Sequence, residues 1–172
     1  MQTSRAPNGF AARLGARQGE MLRDRSRVTA TTQPDGSVVV EDRSGFARLT
    51  RLKPGVLFFY CRGYLQASFY EPMVAVAQHE MDLHGSLLLI VDGWEVGSID
   101  TAFRESWTVW FKRYRDRFRM SLLVRTTLMV MAASLANLFT GISVITTYSN
   151  IDSWEKAAGR DVPGFRKRGA ST

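Results

Sequence analysis

Only one cysteine, Cys61, occurs in 172 residues, so an internal disulfide framework is excluded and a reducing compartment fits. Two histidines, His79 and His84, leave too few ligands for a conventional structural zinc site. With five prolines and 14 glycines in no periodic arrangement, the chain is neither collagen-like nor wholly disordered. A glycine-rich phosphate loop is also missing: Gly93 and Gly97 fit neither nucleotide-binding fingerprint, and no Lys-Ser or Lys-Thr pair follows them. No serine has a glycine two positions before and two after it, which excludes a hydrolase nucleophile elbow. Asp92 and Asp100 are too sparse a pair to mark a cation site. The residues name no catalytic group, no metal and no cofactor, and a non-enzymatic domain is expected.

Long apolar runs are scarce too. The first 20 residues lack the apolar core of a secretory leader. The longest uncharged stretch, Thr126 to Ile151, is strongly apolar only from Leu128 to Phe139. That is too short for a bilayer and reads as a buried helix. A cytoplasmic domain without a transmembrane segment is expected.

What is present suits one folded unit: 45% hydrophobic and 23% charged residues, in a chain long enough for a single real core. The net charge of +7 permits nucleic acid, an anionic membrane surface or an acidic partner and selects none. Basic residues gather in 1–27, in 104–125 and in the tail from Lys156.

Residues 1–26 read as a flexible basic arm and 27–45 as an N-terminal strand extension. In the extension, Gln33-Pro34-Asp35-Gly36 signals a turn and Ser37 to Glu41 a strand. Alternation from Phe46 to Arg51 predicts a partly exposed edge strand. Lys53-Pro54-Gly55 turns the chain into Val56 to Cys61, a run apolar enough for a central strand covered on both faces. Gly63 is expected to end it. Met73, Val76, Ala77, Glu80 and Met81 mark the face of a helix that ends near His84-Gly85, with Ser68 and Glu71 as a candidate capping box. Ser86 to Asp92 is the clearest buried strand, opening into a loop from Gly93 to Asp100. Asp100 or Thr101 caps a second helix, on which Phe103, Trp107, Trp110, Tyr114 and Phe118 share one side. Most of its arginines and lysines lie off that side, so the aromatics face the sheet and nucleic acid is not expected. Ser121 to Val124, Leu128 to Phe139, Ile142 to Thr147 and Ile151 to Ala158 continue as strand, helix, strand and helix, before a polar basic tail over 160–172. This alternation predicts an α/β fold: a mixed, mostly parallel sheet with crossover helices and an antiparallel N-terminal edge.

The segment 46–159 resembles the sulfate-transporter and anti-sigma-factor-antagonist (STAS) family. The match rests on Leu87 to Asp92 followed by Asp100-Thr101, on the later strands and helices, and on Ile151 to Ala157 as a closing helix. Ala102 and Phe103 stand where the family carries a second hydroxyl residue and a glycine, which marks the chain as diverged. The resemblance implies a STAS-like single domain acting in bacterial signalling by protein–protein interaction, with a serine kinase or an anti-sigma-like protein as partner. It puts regulatory phosphorylation on Thr101; Ser98, on the same expected loop, is a second candidate. The partner surface would be Asp92, Gly93, Trp94, Glu95, Gly97, Asp100, Phe103 and Arg104. Two alternatives stand beside it. One is lipid or membrane-surface binding, marked by a pocket between the aromatic helix and the sheet. The other is an oligomerising structural subunit, in which Val28 to Val40 pair with a second copy.

Overall fold

A computed structural model describes residues 28–125 and 144–166. The basic arm, the helix expected over 128–139 and the last six residues of the tail lie outside the described residues. Among the described residues seven strands form one sheet: β1 (Thr29–Thr32), β2 (Val38–Glu41), β3 (Gly45–Lys53), β4 (Val56–Leu65), β5 (Leu87–Ile99), β6 (Phe118–Leu123) and β7 (Ile145–Tyr148). Their order across the sheet is their order in the chain. The first three pairings are antiparallel and the last three parallel, giving the expected mixed sheet with its antiparallel N-terminal side.

Tight turns set the antiparallel half. Asp42 Oδ1 accepts from the backbone N–H groups of Ser44 and Gly45 at 2.7 and 2.8 Å, folding β2 onto β3. Gly55, at φ 73°, completes the turn into β4. β3 is an inner strand between β2 and β4, not an edge. Its alternation arises because one face meets the core and the other is only half covered.

Gly63 does not end β4. At φ 75° it accommodates a register shift, and the strand runs on to Leu65. A Cβ there would lie 2.4 Å from Ser44 O, and one at its cross-strand partner Gly45 would lie 2.1 Å from Tyr64 O. The two backbones touch where only glycine fits.

Helix α1 (Tyr70–His84) links β4 to β5, and α2 (Thr101–Tyr114) links β5 to β6. Two crossovers stepping the same way along the sheet place both helices on one face. There Phe59, Leu89 and Met81 join the α2 aromatics in the larger core. Ser68 makes no cap: α1 begins two residues later, after a short 3-10 turn, with Pro72 in the first turn where no N–H is needed. Glu80, 2% exposed, is the buried charge of α1. Its carboxylate accepts from Gly55 N–H at 2.9 Å and Arg51 Nε at 2.7 Å, and His84 Nε2 lies 3.2 Å away.

Helix α3 (Ile151–Asp161), capped by the Asn150 side chain on Ser153 N–H, covers the opposite face. Trp154, Ala158 and the buried Phe165 pack there on Phe58, Ile90 and Leu123. Thus the region beyond Gly159 begins as helix and core. Phe118 also departs from expectation: α2 stops at Tyr114, and Phe118 opens β6, where its ring stacks on Phe111 at 4.7 Å and 9°.

Candidate functional site

The site begins with the length of β5. The sequence suggests a loop from Gly93 to Asp100, but the strand continues to Ile99. Residues beyond Asp92 outrun β6, and pair instead with the end of β4: Arg62 with Glu95, Gly63 with Val96, Leu65 with Ile99. That partner strand exists only because Gly63 lets β4 continue. The β4–β5 extension projects past the sheet, and α2 starts from its tip.

Asp100 fixes that start. Its Oδ1 accepts from Ala102 N–H at 2.7 Å as the helix cap, and Oδ2 accepts from Tyr64 O–H at 3.0 Å. The phenol of Tyr64 is held above its usual pKa, first by that hydrogen bond. From this anchor α2 runs back over the sheet. Trp107 meets Tyr70 edge-on at 5.5 Å and 87°, and stacks with Phe111 at 5.4 Å. Trp110 Nε1 donates to Gln78 Oε1 at 3.0 Å, tying α2 to α1.

Between α2 and the sheet lies a pocket of about 170 Å³. Its sheet side is Phe59, Cys61 and Leu65 of β4, Leu89, Val91, Gly93 and Val96 of β5, and Met120 and Leu122 of β6, with Ile145 of β7. Phe103, Trp107 and Phe111 form the helix side, and Ile99, Arg104 and Thr108 the rim. The space follows from residue sizes. Cys61, Val91, Gly93 and Val96 are small where they face the first two turns of α2, so the aromatic side chains do not fill the gap. Polar chemistry inside is minimal. The Thr108 hydroxyl donates to its own helix, at Arg104 O, 2.8 Å. Burial, then the nearby Asp92 charge, pushes the Cys61 thiol up to about 12 and keeps it neutral.

The suggested partner surface divides under this geometry. Phe103 is 6% exposed in the pocket wall, and Gly93 is buried in β5. Asp92 is 1% exposed on the opposite face, where its Oδ1 accepts from Trp94 N–H at 3.1 Å. These three present no surface: β5 carries Gly93 and Asp92 to its two covered faces, and α2 turns Phe103 toward the sheet. Trp94 is half-buried against the second core. Glu95 is exposed and accepts from Tyr60 O–H at 3.1 Å. Gly97, Ser98, Thr101 and Arg104 are exposed, with Asp100 partly so, around the tip of the extension. Among the described residues no group of three or more histidine, cysteine or acidic side chains is placed to hold a metal, and no helix is long and apolar enough to cross a membrane.

No family model matches the chain, and no curated protein matches it. Among solved structures, an uncharacterized protein of the DUF3478 family with a SpoIIAA-like fold, from Shewanella loihica, aligns with 76% of this chain and 92% of its own. The identity is 14% and the TM-score 0.49.

Proposed function

We propose that this domain binds, without catalysis, an apolar ligand between α2 and the sheet. The observation that carries the reading is the pocket of about 170 Å³ with apolar and aromatic walls and a neutral thiol in its floor. An apolar protein cavity of about 150 Å³ is large enough to take benzene, so this one suits a small ring or part of an alkyl chain. Its position toward the carboxyl ends of β4 and β5 agrees with where open α/β sheets take ligands. The test is a titration of the purified full chain with fluorobenzene, an uncharged single ring, followed by its fluorine NMR signal. Saturable one-to-one uptake is expected, with Thr108→Trp, which puts a large ring over the rim, weakening it by about tenfold, the scale of an apolar contact or two. The reading is lost if the wild type shows no saturable uptake, or if a folded Thr108→Trp protein binds equally well.

A second reading is protein interaction switched by phosphorylation, supported by the exposed Thr101 at the first position of α2. A phosphate there would meet the free N–H groups and positive end of the helix and add about 1.5 to 2 negative charges. Tagged protein is expected to draw a kinase-like or anti-sigma-like partner from native lysate, with Thr101→Asp losing it. An unchanged set of bound proteins, with no phosphate on Thr101 or Ser98, removes this reading.

A further inference from the structure

The chemistry of the rim says more than apolarity does, given the ligand-binding reading above. Arg104 is the charged side chain among the described residues that line the pocket. It projects from the first turn of α2, exposed, three residues before Trp107 and four before Thr108, so all three share one side of the helix. No carboxylate among the described residues lies within ion-pairing distance of it. The nearest acids in sequence are committed or turned away. Asp100 spends both carboxylate oxygens on Ala102 N–H and Tyr64 O–H. Glu105 is exposed one position further round the helix. The long Arg104 side chain lets its guanidinium reach the rim as a donor fork beside this apolar surface.

We infer that the pocket takes a carboxylate amphiphile, its alkyl chain between α2 and the sheet and its carboxylate on the guanidinium of Arg104. The planar fork matches a carboxylate with two parallel N–H donors. A cationic head would be repelled there, and an uncharged one would gain only an ordinary hydrogen bond. The ion pair is partly exposed to water, so its preference is moderate in size.

Three probes with one chain length separate head from tail: octanoate, octanol and octylamine, each displacing fluorobenzene from the full-length protein. Wild type is expected to bind octanoate about threefold to fivefold more tightly than octanol, and octylamine more weakly than either. In Arg104→Gln, an exposed position where the fold is checked by circular dichroism and melting temperature, octanoate is expected to fall to the level of octanol while octanol itself is unchanged. Equal binding of octanoate and octanol by wild type overturns the carboxylate assignment and leaves the apolar pocket standing. So does an octanoate preference that survives Arg104→Gln. Failure of all three probes to displace fluorobenzene, or of fluorobenzene to bind, removes both readings together.

Discussion

Replacing Glu80 by alanine is expected to destabilise the fold by about 3 kcal/mol, a large part of the roughly 5–15 kcal/mol that holds a domain of ordinary stability. The reason lies in what the carboxylate joins. Its two oxygens serve Gly55 N–H in the β3–β4 turn and the Arg51 guanidinium on β3, and His84 of the last turn of α1 lies beside them. Alanine leaves the Gly55 donor without its acceptor under the helix, at about 1–3 kcal/mol, and removes the charge that holds Arg51 in place. Arg51 is half exposed and can turn to water, which keeps the loss at the lower end of the range for buried pairs. Glu80→Gln separates the two contributions. An amide oxygen can still accept from Gly55, so its loss should be about half that of alanine. Urea unfolding of the two variants, followed by far-ultraviolet circular dichroism, measures both. A stability of Glu80→Ala within about 0.5 kcal/mol of wild type would show that the network is dispensable.

The second large effect is expected on the other face of the sheet. Trp154 is fully buried, with its ring 5.3 Å from Phe165 at 83° and 6.4 Å from Phe58. Its Nε1 donates to Ser121 O at 3.3 Å, so one side chain carries both the apolar seal and a polar tie from α3 to β6. Truncation to alanine should cost about 3–5 kcal/mol, as for other buried aromatic residues. The smaller core has few members, so little can move in to fill the space. Trp154→Phe retains a ring but loses the donor, and should cost about 1–2 kcal/mol. Hydrogen exchange adds a local readout: amides of α3 should lose protection in Trp154→Ala before those of β4 and β5. Uniform loss across the sheet, or a destabilisation below about 1 kcal/mol, would contradict this account.

Both residues show where the sequence is informative and where it stops. The helical spacing already places Glu80 on the apolar face of α1, and it places the aromatic side of α2 against the sheet. What spacing lacks is the partner. Arg51 and Gly55 sit on another element, brought to Glu80 by the crossover. Local pattern also misreads Gly63 as an end and Gly93 to Asp100 as a loop. In isolation a glycine after an apolar run signals a break, whereas here Gly63 takes a positive φ and lets β4 continue as the partner of β5. The apolar Trp94 and Val96 on either side of Glu95 were the available strand signal, obscured by the flanking Gly93 and Gly97. A pocket between the aromatic helix and the sheet is one alternative that the sequence offers, but local pattern cannot establish it, for a related cause. It arises from small residues on β4 and β5 facing large ones on α2, a match of sizes across three elements.

The strand order has a consequence for how the molecule is made. Among the described residues every strand after β1 lies beside the strand that precedes it in the chain, so none of them waits for a later one to supply its first neighbour in the sheet. Loop closures are correspondingly local, which lowers the entropic barrier to assembly. During synthesis from the N-terminus, β1 to β3 can meander into place before β4 emerges, and every later strand docks on an edge already formed. α3 follows β7, when Phe58 and Ile90 already offer it a surface, and Trp154 packs onto them. Spatial order in this sheet is also an order in time.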